Sequence, residues 1–198
     1  MMDISAEQND ALTELINIGV GHAASTLNCL INHTIRLTVP TVEFCSIEKI
    51  RDHPPSDDGD GVSSVSMSFH GDFDGNASLM FPLISARTLV AVLTGEEPDS
   101  AELDDLRSGT LAEVGNILLN GVMGSLSNML ASTLDYSVPM YQEVPVQDLL
   151  GHQEAEAVLI ARANFYIDEL CIEGNILLFF ELGSFQSLIS SIDRELMA

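Results

Sequence analysis

The sequence predicts an α/β domain of the α+β type, a pseudo-twofold built on a shared, largely antiparallel sheet with two long related helices on one face. Three observations carry this expectation. The chain aligns with itself at a constant offset of 99 residues and no gap: Glu14 and Asn17 recur as Glu113 and Asn116, Pro40 as Pro139, Gly75-Asn76 as Gly174-Asn175, and Phe81 as Phe180. Each half opens on a long segment of helical periodicity, and each continues through strand-like segments into a shorter helix. Stacked repeats recur at ~20–50 residues, whereas a period of about 100 is half a domain. The expected organisation is therefore one domain over 1–198, made of two repeats at about 1–98 and 99–198.

Residues 5–31 read as an amphipathic helix. Ser5 with Gln8 forms a capping box, and Leu12, Ile16, Ala23, Leu27 and Leu30 share one side at about 100° per residue. Asp10, Glu14, Asn17, Gly21 and Asn28 gather on the opposite side, with Ala24 and Ser25 flanking them. A strand from Thr34 to Val39 follows, stopped by Pro40, and a loop rich in Pro, Asp and Gly runs from Asp52 to Gly61. Val62 to Phe69 alternates apolar residues with serines, as a half-buried strand does, and a turn over 71–76 returns it as Ala77–Phe81. Ser85–Leu93 is a short helix, and Gly95 to Ser100 joins the halves. The second half repeats the order: a helix around Ser108–Leu130, a strand ending at Pro139, an acidic loop, strands Ala157–Ile167 and Ile176–Glu181, and a terminal helix Ser184–Met197. Both long helices must bury their apolar faces on the sheet, which leaves each polar stripe outward.

Composition narrows the functions. Thirty acidic residues against seven basic ones give a net charge of −23, which argues against nucleic acid and anionic lipid as partners, since both are held by Lys and Arg. Such an excess suits solubility at high salt, where screening over a few ångströms removes self-repulsion, or a basic partner. A halophilic source is the expected reading. Cys29, Cys45 and Cys171 are odd in number and widely spaced, the pattern of reduced thiols and not of a disulfide set or a zinc site. No signal-peptide pattern opens the chain and no apolar run approaches the ~18 residues of a membrane span. A cytoplasmic protein without membrane insertion is expected.

The most informative residues are polar. Between 10–40 and 109–139 there are 8 identities in 31 positions: Leu12, Glu14, Asn17, Ile18, Leu27, Thr34, Val39 and Pro40, each with its counterpart. Burial accounts for the aliphatic ones; Glu and Asn ordinarily face solvent and drift. A lone Glu-x-x-Asn on a helix is usually a solvated face, but two copies in a longer matching pattern point to a site.

The pattern Asp10-x-x-x-Glu14-x-x-Asn17, followed by Asn17-Ile18-Gly19-x-Gly21 and Pro40, with Glu113-Val114-Gly115-Asn116-Ile117-Leu118 in the second copy, resembles the CheC-type phosphatases of prokaryotic chemotaxis. The resemblance covers nearly the whole chain and is to two-site members more than to single-site CheX relatives or flagellar-switch proteins. It implies removal of the phosphoryl group from the aspartate of the phosphorylated response regulator CheY. An acyl phosphate is labile, so such a phosphatase needs only to place a water in line and organise charge. Asn17 and Asn116 are implied to orient that water, because a carboxamide both donates and accepts. Glu14 and Glu113 are implied to grip a lysine of the regulator, with Asp10 and Gly21 as substrate-binding neighbours. The chain is expected to need no cofactor of its own; Mg²⁺ in this family belongs to the regulator's pocket. The rival reading is a non-catalytic binding partner of the receptor deamidase CheD.

The copies differ. Gly109 stands in place of Asp10 and Asn120 in place of Gly21, so the second stripe is expected to be less open and the first site to contribute more turnover. Gly109 is also expected to loosen the start of its helix. His22, His33, His53, His70 and His152 share no metal-ligand spacing, and 57–61 and 72–75 lack the frame of a calcium loop, so both stretches read as turns.

Overall fold

The computed structural model describes residues 4–30, 34–52, 61–97, 101–151, 155, 157–167, 170–181 and 183–197. The first half runs α1 (Ala6–Leu30), β1 (Ile35–Cys45), α2 (Ile47–Asp52), β2 (Val62–Gly71), β3 (Gly75–Pro82), α3 (Leu83–Thr94). The second runs α4 (Ala101–Met129), β4 (Leu134–Tyr136), β5 (Met140–Val144), α5 (Val146–Gly151), β6 (Ala157–Ile167), β7 (Leu170–Phe180), α6 (Ser184–Leu196). All seven strands form one sheet in the order β1-β6-β7-β3-β2, with β4 and β5 both on the outer side of β2. Every pairing is antiparallel. β1 of the first half pairs with β6 of the second, and β4 and β5 of the second half pair with β2 of the first, so neither half has a sheet of its own. The α+β architecture expected from the sequence is the one observed.

α1 starts where its capping box predicts: Gln8 N–H donates to Ser5 Oγ at 3.1 Å, and Ser5 N–H donates to Gln8 Oε1 at 2.8 Å. Leu12, Ile16, Ala23 and Leu27 are buried as their spacing requires, and Leu15, Val20 and Ala24 join them. Ala24 therefore belongs to the packed face and does not flank the polar stripe, as the sequence suggested. α1 and α4 lie against each other at a close crossing. A Cβ at Gly19 would stand 2.6 Å from Val122 Cα, and one at Gly121 2.8 Å from Gly19 O, so only glycine permits the approach.

Side chains of β7 alternate strictly. Ile176, Leu178 and Phe180 enter the main core beneath α1, α3, α4 and α6, while Leu177 and Phe179 enter a smaller core on the other face, closed by α2 and α5. Burial on both faces explains an apolar run without alternation. α2 and α5 are not expected from the sequence. Each has 6 residues, too few for periodicity to register, and their apolar residues Ile47, Ile50, Val146, Leu149 and Leu150 sit in polar sequence that reads as loop.

Other boundaries also differ from expectation. β1 does not stop at Pro40 but runs on to Cys45, with an irregularity in register between Thr38 and Thr41. It is an edge strand, where a residue lacking an N–H is tolerated. The corresponding strand near Pro139 is instead broken into β4 and β5. β7 starts earlier than Ile176, at Leu170, so Gly174-Asn175 lies inside it, where a Cβ on Gly174 would meet Phe81 Cε1 at 2.5 Å. α4 begins at Ala101, so Gly109 lies within the helix and not at its start. Of the expected turn at 57–61 only Gly61 is described, and His33, His53 and His152 lie outside the described residues. The 71–76 turn is held by its aspartates, with Asp72 Oδ2 accepting from Thr133 N–H at 2.8 Å and Asp74 Oδ1 from Gly71 N–H at 3.1 Å.

Candidate functional site

Asp10, Glu14 and Gly21 are exposed along α1, and Asn17 is half-buried among them. The helix places Glu14 and Asn17 one turn apart on a common face. Asn17 is nonetheless committed. Its Nδ2 donates to Thr13 O at 3.0 Å and to Val39 O at 3.3 Å, and its Oδ1 accepts from Val39 N–H at 3.1 Å. Both amide hydrogens and one oxygen lone pair are thus occupied. Asn28 repeats the arrangement further along, accepting from Ile35 N–H at 2.5 Å and donating to Ile35 O at 2.9 Å. Two asparagines of the predicted stripe therefore clasp α1 to β1, satisfying backbone groups that face away from the sheet ladder. The sequence reading of that stripe as an open polar surface is corrected here.

The second stripe is arranged differently. Glu113 is exposed on α4 and Asn116, one turn on, is half-buried. Both line a pocket of about 460 Å³ together with Gly109, Ala112, Asn120 and the segment Tyr136-Ser137-Val138-Pro139. Asn120 Nδ2 donates to Asn116 Oδ1 at 2.7 Å and to Asn116 O at 2.8 Å. That contact orients the carboxamide of Asn116 while its Nδ2 has no partner among the described residues. The sequence reading of Asn120 as an obstruction is replaced by one of positioning.

The difference lies in the segment that crosses each asparagine. Val39 and Val138 correspond at the offset of 99, each just before its proline. Val39 is 3% exposed and bonded to Asn17; Val138 is 83% exposed, and no hydrogen bond joins it to Asn116. Ser137 draws the second segment away, its N–H donating to Ser68 O at 3.0 Å and its Oγ accepting from Ser68 N–H at 2.9 Å. Tyr136 OH donates to Met123 O at 3.3 Å, and burial pushes the Tyr136 phenol upward, with a Ser127 contact opposing and Asp135 adding to the shift. On the other side of the break, Arg107 of α4 holds Glu143 of β5, Nε to Oε1 at 2.7 Å and Nη2 to Oε2 at 3.2 Å. Tyr141 OH also donates to Glu143, and burial first, then this bond, raises the Tyr141 phenol.

Sequence reasoning brings Glu113 and Asn116 to one site and misses Asn120's orienting contact, Tyr136, Ser137 and the role of Val39 and Val138. The Val-Pro pair is among the repeated identities, a signal present in the sequence but attributed there to burial. Among the described residues no group of three or more His, Cys, Asp or Glu is gathered as a metal site, and no helix is long and apolar enough to cross a membrane.

The chain is similar to several known proteins. The profile of the CheC-like family matches residues 7–43, the stretch that holds Glu14, Asn17 and the Val39 clasp. The CheY-P phosphatase CheC of Bacillus subtilis is 32% identical over 139 residues, 69% of this chain and 66% of that protein, so this chain spans just under two thirds of its length. CheC1 of Halobacterium salinarum is 24% identical over 197 residues, covering 97% of this chain and 98% of that one. In structure, Thermotoga maritima FliY superposes with a TM-score of 0.76 at 18% identity, over 98% of this chain and 100% of that chain. The fold and these relatives agree in making the chain similar to the CheC-like family.

Proposed function

We propose that the chain is a phosphatase for the aspartyl phosphate of a CheY-type response regulator, and that Asn116 on α4 is the residue that orients the attacking water. The reading takes the chain as one domain of two repeats, each with a Glu/Asn pair. The observation that carries it is the Nδ2 of Asn116, unpaired among the described residues in a pocket of about 460 Å³, with Oδ1 held by Asn120 and Glu113 exposed one turn before. A water bound there has a fixed orientation without further reorganisation. Its oxygen attacks phosphorus as the bond to the regulator's carboxylate breaks, and its proton leaves with the phosphate product or to solvent. Glu113 offers an exposed carboxylate to a lysine beside the phosphoryl group. The relatives named CheY-P phosphatases support the substrate class.

Asn17 and Glu14 form the corresponding first site, with Asp10 and Gly21 beside them, but Asn17 must release Val39 before it can bind water through Nδ2. The second site is therefore the more active one in this conformation, the reverse of the order expected from Asp10 and Gly21. The test is decay of phosphorylated CheY with wild type, Asn116→Ala and Asn17→Ala at one high salt concentration. Loss of one preorganised polar contact is worth ~2–4 kcal/mol, so Asn116→Ala should slow the second site by roughly thirtyfold to several hundredfold. Full activity in a chain with both asparagines altered would reject Asn17 and Asn116 as catalytic residues, and a wild type that does not accelerate the decay would reject catalysis and leave the adaptor to CheD as the reading.

A further inference from the structure

The repeated Gly-Asn pair is not used by the phosphatase sites, and in the second half its asparagine is anomalous. Asn175 lies in the middle of β7, is 8% exposed, and has no hydrogen-bond partner for its side chain among the described residues. Buried carboxamides are almost always paired. This one instead lines a cleft of about 410 Å³ on the sheet face opposite α1 and α4, beyond the cover of α2 and α5. The volume is that of a small-molecule site.

The sheet register orders the cleft. Thr41, Arg162 and Asn175 form one row across β1, β6 and β7, and Asn164 with Glu173 forms the next. Glu43 stands two residues from Thr41 on β1. Arg162 is exposed and makes no ion pair or hydrogen bond among the described residues, although the chain has only seven basic side chains. Glu43 and Glu173 each stand two residues, about 7 Å, along from the Arg162 row, and neither forms an ion pair with it. The cleft thus offers one guanidinium and an unpaired carboxamide between two carboxylates.

We propose that this cleft binds a small zwitterion of the amino-acid class, with the ligand's carboxylate on Arg162 and Asn175 and its ammonium on Glu43 or Glu173. A guanidinium beside a carboxamide donor is a fork for a carboxylate. A ligand with only negative charge meets two carboxylates and the field of a chain at −23; a ligand with only positive charge meets Arg162. A molecule carrying both charges a few ångströms apart satisfies all of these groups.

The experiment is ligand-observed NMR and calorimetric titration of the full chain with L-glutamine and L-alanine, and with succinate and putrescine as probes bearing one sign of charge. Saturable binding of at least one amino acid and none of succinate or putrescine is expected. Arg162→Ala and Asn175→Ala should each weaken that binding by about tenfold or more, the loss of a charge-assisted or buried contact. Arg162 is exposed, so its variant should keep the wild-type thermal midpoint. The proposal is overturned if no amino acid binds at millimolar concentration, if succinate or putrescine binds as well, or if affinity is unchanged in folded Arg162→Ala.

Discussion

Asn17 and Val39 exchange a pair of hydrogen bonds, 3.1 Å from Val39 N–H to Oδ1 and 3.3 Å from Nδ2 to Val39 O, whereas their counterparts Asn116 and Val138 exchange none. One sequence pattern has thus produced a closed clasp and an open pocket. The cause is the strand that passes over each asparagine. β1 continues across Pro40 and carries Val39 onto α1; β4 ends at Tyr136, and Ser137 is pulled toward β2.

Asn17→Ala should act on stability as well as rate. Removing the carboxamide strips Val39 of two bonds on the inner side of an edge strand, at about 1–3 kcal/mol. Asn116→Ala, which breaks only the contact with exposed Asn120, should cost less than about 1 kcal/mol. Urea midpoints of the two variants check this, and equal midpoints would contradict the clasp.

Asn120→Ala tests positioning. The side chain does not reach a reacting atom in this reading; it pins Oδ1 of Asn116. We expect kcat for regulator dephosphorylation to fall by roughly tenfold with little change in KM, because an orienting contact counts in the transition state. Rescue by Asn120→Gln, which retains a carboxamide donor, would separate positioning from loss of structure. A raised KM with unchanged kcat would place Asn120 in binding instead.

Gly19 and Gly21 should respond to alanine with opposite signs. A Cβ at Gly19 meets the Val122 backbone at 2.6 Å, so α1 and α4 must separate, an overpacking cost of ~1–3 kcal/mol. At Gly21 nothing lies within 4 Å, and alanine gains ~1 kcal/mol of helix propensity. Thermal melts of Gly19→Ala and Gly21→Ala read the difference directly.

Tyr136 and Tyr141 predict an alkaline limit. Burial holds both phenols neutral and raises them above the unfolded value of 10.0. The folded state keeps protons that the unfolded chain has lost, so their contribution is complete below the unfolded value and declines as pH rises through the folded ones. Urea midpoints between about pH 9 and about pH 11 should fall more steeply for wild type than for Tyr136→Phe with Tyr141→Phe, each tyrosine contributing at most ~1.4 kcal/mol per pH unit. Parallel slopes would contradict the assignment.

Short-range pattern alone makes much of this chain legible. The capping box of Ser5 and Gln8, the apolar spacing of Leu12, Ile16, Ala23 and Leu27, and the span of β6 from Ala157 to Ile167 all lie where local physics puts them. So does the Glu/Asn pair on each long helix, because a helix projects residues three apart onto one face whatever surrounds it. The helices α2 and α5 are not legible in this way, since six residues acquire helical structure only when Ile50 and Leu150 have a sheet to cover. Nor is the fate of each asparagine. Whether a carboxamide binds a strand or faces a pocket depends on how a segment 22 residues away is drawn over it, from Asn17 to Val39 or from Asn116 to Val138. Backbone periodicity, written in the order of residues, assigns polar groups such as Glu14 and Asn116 to their helix faces. Which of them stay unpaired is settled in three dimensions, because hydrogen-bond partners distant in the chain are chosen by the sheet register and by the break between β4 and β5.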